Sequence, residues 1–145
     1  MVHNIDIADC PFDQTLAVKL EAARQNVLRG FVDESDFDDE RQGRTAQALY
    51  EELLATRPER EDLVFTHGDY CLPNLIITPD WRNISGFIDL GRGGIADRYQ
   101  DLALAARSLA YNFGPEWVQL LFKDYGLTEP DYGKIEFYKL LDEFF

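Results

Sequence analysis

Three short β-prone runs lie close together in the middle of a chain whose other apolar residues recur at helical spacing, and this stretch constrains the fold most. The runs are Leu63-Val64-Phe65-Thr66, Leu75-Ile76-Ile77-Thr78 and Ile84 to Ile88, the last two joined by the turn-rich Pro79-Asp80-Trp81-Arg82-Asn83. A hairpin of that pair returns Asp89, at the end of one strand, to the side of Asn74, at the start of the other. Around it, Leu16, Leu20, Ala23 and Val27 form a helical stripe ahead of Gly30, and Ala46, Leu49, Tyr50, Leu53 and Leu54 form another ahead of Pro58. The stretch from Arg98 to Tyr111 carries Tyr99, Leu102, Ala103, Ala106 and Leu109. Gly114-Pro115 opens a helix that Gly126 closes, and Phe137, Leu140, Leu141 and Phe144 mark the last one. The expected fold class is α+β, mainly helical with a small β-hairpin. Without repeats, low-complexity tracts or linker-like clusters, residues 1–145 read as one domain.

The β-prone stretch also holds a chemical pattern: His67-Gly68-Asp69, then Asn74 five residues after that Asp, then Asp89-Leu90-Gly91. Phosphoryl transfer needs a group that orients an attacking hydroxyl and accepts its proton, and oxygen ligands that hold Mg2+ against nucleotide phosphates. Asp69 suits the first task. Asn74 and Asp89 suit the second, because Mg2+ is a hard cation that takes a few protein oxygens and completes its shell with phosphate and water. Taken singly, the tripeptide is a turn and an Asn after Pro73 an ordinary loop residue. The combination of base, amide, strand, turn, strand and Asp-Leu-Gly points to catalysis.

Charge adds a second constraint. Lys and Arg total 14 against 27 for Asp and Glu, a net charge of -13. Such a surface repels nucleic acid and attracts polycationic ligands. The densest acidic patch runs from Asp33 to Glu40, and a second lies at Asp142-Glu143 beside Phe145. Acidic runs of this kind are also ordinary solvated faces. The loop from Asp33 to Gly43 is the segment expected to move most. No apolar run approaches the roughly 20 residues that span a bilayer, and no charged-then-apolar leader precedes Cys10, so no membrane is expected and the cytoplasm is the default compartment. Cys10 and Cys71 read as free thiols, and His3 as an exposed terminal residue.

The stretch Val64 to Asn74, the block Ser85-Gly-Phe-Ile-Asp-Leu-Gly-Arg92, then Ala96-Asp-Arg-Tyr-Gln-Asp-Leu-Ala103 and the terminal Leu141-Asp-Glu-Phe-Phe145 resemble the aminoglycoside 3'-phosphotransferases, in particular the neomycin and kanamycin kinase branch. The resemblance runs from about Cys10 to the last residue. It implies a protein-kinase-like fold of two lobes, of which this chain matches the C-terminal one. The Gly-rich phosphate loop and the strand lysine of the N-terminal nucleotide lobe have no counterpart. Gly91-Arg92-Gly93-Gly94 follows the Asp-Leu-Gly motif and reads as a flexible turn, and Lys19, Lys123, Lys134 and Lys139 all fall in helical stretches. Met1 is expected to start partway through the family's chain.

The activity implied is transfer of the ATP γ-phosphoryl group, by Mg2+, to the 3'-hydroxyl of an aminoglycoside, an antibiotic-resistance reaction. A separately supplied N-terminal lobe is the implied partner, and the chain alone is expected to turn over little or nothing. By the same resemblance, Asp36 and Asp39 belong to a substrate-covering loop, and Asp142, Glu143 and the Phe145 carboxylate to the C-terminal substrate contacts. Arg92 and Arg107 fall near the site. An arginine repels ammonium, so they are expected to orient carboxylates or contact phosphate or hydroxyl groups, or else to form structural ion pairs. His67 and Asp101 fall behind the catalytic loop, with Asp101 receiving its backbone N–H groups. Ser108 and Tyr111 stand where that branch tends to carry acids, which removes two anchors for substrate amines. Two other readings stay open: a silent remnant that binds polycationic amines, and a kinase lobe for another small alcohol such as choline or an amino sugar.

Overall fold

The computed structural model describes residues 2–80 and 82–145. Its five helices are α1 (Leu16–Arg29), α2 (Ala46–Ala55), α3 (Tyr99–Phe113), α4 (Glu116–Tyr125) and α5 (Tyr132–Asp142). The helical stripes become the core. Leu16, Leu20 and Ala23 of α1, Leu49 and Leu53 of α2, Leu102, Ala103 and Ala106 of α3, and Ile135, Phe137, Leu140 and Leu141 of α5 pack into one cluster that Phe144 completes. Every residue of α3 from Tyr99 to Ala106 is buried, so this helix is the central strut, and its alanines let neighbours approach closely. Truncating one of its fully buried leucines costs ~2–5 kcal/mol. Side-chain caps fix two helix starts: Thr45 Oγ1 accepts from Ala48 N at 3.2 Å, and Asp131 from Lys134 N at 3.0 Å. Gly30 and Gly126 end α1 and α4 as their positions predict. None of the described helices is long and apolar enough to cross a membrane.

Among the described residues four strands form two antiparallel pairs: β1 (Leu63–Thr66) with β4 (Gly94–Asp97), and β2 (Leu75–Ile77) with β3 (Ile84–Phe87). The β2–β3 hairpin is the expected one, with Leu75 opposite Phe87 and Ile76 opposite Gly86. Thr78 N donates to Asn83 O at 2.8 Å to close it; Trp81, within the predicted turn, lies outside the described residues, as does Met1. The turn expected at Gly91 to Gly94 forms over its first three residues, with Gly93 N donating to Leu90 O at 2.9 Å, whereas Gly94 opens strand β4. Gly and Asp are both depleted in strands, and Gly94-Ile95-Ala96-Asp97 offers a single β-branched residue, so pairing with β1 rather than local propensity makes it a strand.

That pairing positions the site. It sets the end of β1, where His67-Gly68-Asp69 begins, beside the loop between Asp89 and Gly93. Gly68 adopts φ +88, and a Cβ there would lie 2.1 Å from the Arg92 carbonyl oxygen. Only glycine permits so close an approach of the two loops.

Candidate active site

The His67-Gly68-Asp69 loop is held from behind by one carboxylate. Asp101, on α3 and 0% exposed, accepts from His67 N at 2.8 Å and from Gly68 N at 2.9 Å. A third contact comes from His3 Nε2 at 3.0 Å. Here the structure corrects the expectation of an exposed terminal histidine. His3 sits in a 3-10 turn (Val2–Asn4), its side chain is 5% exposed, and Nδ1 bonds the Tyr125 hydroxyl at 2.7 Å. Its partners are 98 and 122 residues away, so nothing local in the sequence signals the contact.

His67 ties the loop to β3. Its Nε2 lies 2.9 Å from Ile88 O and its Nδ1 3.3 Å from Asp69 N, which assigns the proton to Nε2, since a carbonyl only accepts and an amide N–H only donates. Asp69 and Asn74 meet directly: Asn74 Nδ2 donates to Asp69 O and Oδ2, both at 2.9 Å. The amide nitrogen is thereby committed, which leaves Oδ1 as the Asn74 atom for a cation. Ile88 N donates to Asn74 O at 3.1 Å, so Asp89 follows one residue beyond a backbone bond to Asn74. Asp89 is exposed and is the one non-glycine residue with positive φ among those described, at 60°. Aspartate tolerates this left-handed geometry better than most residues, and such outliers concentrate at functional positions. No group of three or more His, Cys, Asp or Glu suited to a metal occurs among the described residues. Two oxygens, from Asn74 and Asp89, fit an ion that takes the rest of its shell from phosphate and water.

Beside this loop, α3, the acidic loop and the end of α5 enclose a cavity of about 580 Å3 whose lining includes Asp36, Asp38, Arg107, Tyr111, Asp142 and Glu143. Four carboxylates and three guanidinium groups alternate in one chain from Asp69 to Glu143. Arg92 Nη2 is 3.4 Å from Asp69 and its Nη1 2.8 Å from Asp142; Arg107 bonds Asp142 with Nη2 and lies 3.2 Å from Asp38 with Nη1; Arg41 Nη1 is 3.4 Å from Asp38 and 3.2 Å from Glu143. Alternation lets several carboxylates share a confined space, at the desolvation cost that partly buried ion pairs carry. Burial, and then the charge of Asp38, push the Glu143 carboxyl up to about 7 despite Arg41. Burial, and then Arg92, bring the Lys19 ammonium down to about 8. Its Nζ lies 5.6 Å from the Phe145 ring centroid.

Asp36, Arg107, Asp142, Glu143 and Phe145 thus share the cavity, while Arg92 reaches it through Asp142. Asp39 does not line it and lies exposed at the start of a 3-10 turn (Asp39–Arg41). Asp38 and Arg41 are the residues that sequence reasoning missed. Nothing in an acidic run distinguishes Asp38 from its neighbours, although the i, i+3 spacing to Arg41 was visible. The acidic loop has two attachments to the rest of the fold: Phe37 is 3% exposed within the core, and Glu34 accepts from Ala46 N at 2.7 Å. Ser108, where an amine anchor was expected to be missing, instead accepts from Leu72 N at 3.0 Å and steadies the catalytic loop.

The model of the phosphotransferase enzyme family matches residues 2–138. The chain belongs to that family. Among its relatives are aminoglycoside 3'-phosphotransferases of Niallia circulans, 49% identical over 99% of this chain and 54% of theirs, and of Streptomyces fradiae, 45% identical over 99% and 55%. Among solved structures, an aminoglycoside-3'-phosphotransferase of type VIII superposes with a TM-score of 0.92 at 42% identity, covering 99% of this chain and 56% of that one. A Streptomyces rimosus aminoglycoside phosphotransferase in complex with ADP and streptomycin follows at 0.88 and 32%, covering 99% and 57%. The chain spans about half the length of the curated relatives it matches. That share agrees with one lobe of a kinase-like phosphotransferase.

Proposed function

We propose that the chain is the acceptor-binding and catalytic half of an aminoglycoside 3'-phosphotransferase, acting in the cytoplasm to transfer the ATP γ-phosphoryl group to the acceptor's 3'-hydroxyl. The observation that carries this reading is Arg92, which spans Asp69 and Asp142 and so joins the loop carboxylate to the acidic cavity. An acceptor held in the cavity presents a hydroxyl to Asp69, which orients it and takes its proton. Asn74 Oδ1 and the Asp89 carboxylate are the oxygens that would hold Mg2+, which would supply positive charge against the nucleotide's phosphates. A Gly-rich loop and paired lysine, supplied by an N-terminal nucleotide lobe, complete the donor site. The relatives are named as aminoglycoside 3'-phosphotransferases, which favours the 3'-hydroxyl, and one neighbour, a 3''-phosphotransferase, is in complex with ADP and streptomycin, which favours a nucleotide donor and the aminoglycoside class of acceptor.

The test is product formation from kanamycin and Mg-ATP when the chain is joined to the nucleotide half of the Niallia circulans relative. Asp69→Asn is expected to lower turnover by about 10²-fold or more while leaving kanamycin binding intact. Phosphorylation of choline or a simple amino sugar in preference to kanamycin would overturn the acceptor assignment.

A further inference from the structure

Three carboxylates of the cavity, Asp38, Asp142 and Glu143, are already engaged by arginine, while Asp33 and Asp36 on the acidic loop carry no ion pair among the described residues. Asp38 and Asp142 each lie between two guanidinium groups, Glu143 faces Arg41, and Arg107 sets a positive charge in the wall, so these three carboxylates offer an incoming ammonium little free negative charge. The rim differs. Tyr111, on α3, is 90% exposed, and Phe31, just past the end of α1, is 70% exposed, yet both line this same cavity. Neither ring packs on another aromatic among the described residues, so neither exposure is explained by the core. The face of an aromatic ring is negative, attracts ammonium groups and the electropositive C–H bonds beside them, and is not neutralised by a neighbouring arginine as a carboxylate is.

Resting on the acceptor reading above, we infer that Tyr111 and Phe31 form an aromatic rim that selects the acceptor: an amine-bearing sugar ring is held by its C–H face and ammonium groups against these two side chains. The rim carries the part of amine recognition that a carboxylate at position 111 would otherwise carry, and it favours ring-borne amines over extended ones.

Calorimetric titration of the chain with kanamycin tests this. Tyr111→Ala and Phe31→Ala are each expected to weaken binding about fivefold, and Tyr111→Phe to restore it, because the ring and not the hydroxyl carries the contact. Raising the salt weakens binding of every variant, but the ratio between Tyr111→Ala and the parent is expected to hold, since screening acts on the ion pairs more than on ring contacts. Both side chains are exposed, and circular dichroism with thermal melting shows whether the variants keep the parent fold. Parent binding with undiminished affinity in both alanine variants would overturn the rim and leave the acceptor reading standing. No saturable binding by the parent would overturn the acceptor reading, and the rim with it.

Discussion

Asp101 concentrates three donors on one buried carboxylate, so its replacement is costly in a specific way. In Asp101→Asn an amide nitrogen faces backbone N–H groups that need an acceptor, and the loss is expected at ~2–3 kcal/mol, read as a lower midpoint in urea with unchanged slope. His3→Ala leaves the Tyr125 hydroxyl and one Asp101 lone pair without their partner and is expected to cost ~1–2 kcal/mol by the same measurement. A histidine that was merely terminal and exposed would give no change. Glu143 adds a dependence on pH. Its folded value of about 7 stands above the ordinary 4.5, so the folded state holds the proton more tightly than the unfolded one. The resulting stability is complete below about pH 4.5 and is lost as pH rises to about 7, after which it is flat. Denaturation midpoints followed across that window should fall with pH in the parent and stay flatter in Glu143→Gln. A bound polycation favours the carboxylate, so at pH 7 it should release a proton that the variant does not release, detectable as a buffer-dependent binding enthalpy.

At the scale of elements, periodicity located the five helices and three of the strands, because each buries a stripe set by its own residues. Strand β4 escaped because its register is imposed by β1 across about thirty intervening residues, and Gly94 and Asp97 argue locally against a strand. The same divide separates Asp69, Asn74 and Asp89, legible from their spacing, from Arg41, Asp38 and His3, whose importance lies in partners distant along the chain. The acidic loop shows the same divide: charge suggests a solvated segment, whereas Phe37 anchors it in the core. The close approach of the Gly68 and Arg92 loops makes a sharp prediction at Gly68. Gly68→Ala combines a left-handed backbone with a Cβ 2.1 Å from the Arg92 carbonyl oxygen, and it is expected to destabilise by ~3 kcal/mol or more. Thermal melting checks the cost, and loss of kanamycin binding checks that Arg92 has moved.

For the whole molecule, the β2–β3 hairpin leaves Ile76, Ile77 and Ile84 exposed, and Ile88 and Leu90, the chain neighbours of Asp89, are exposed as well. An apolar surface of this kind suits a covering body, and a nucleotide lobe is the covering that the proposed reaction requires. Joining that lobe should raise the melting temperature and reduce self-association in sedimentation; an unchanged sedimentation profile would place the covering elsewhere. The central claim is that a polycationic acceptor occupies the cavity between the acidic loop, α3 and α5, with Arg92 relaying its position to Asp69. The most direct measurement is a nuclear magnetic resonance titration of the labelled chain with kanamycin, following backbone amides. Saturable shifts grouped at Asp36, Arg107, Tyr111 and Asp142 and extending through Arg92 to Asp69 are predicted, whereas shifts that never saturate, or that leave these residues unmoved, would contradict the account.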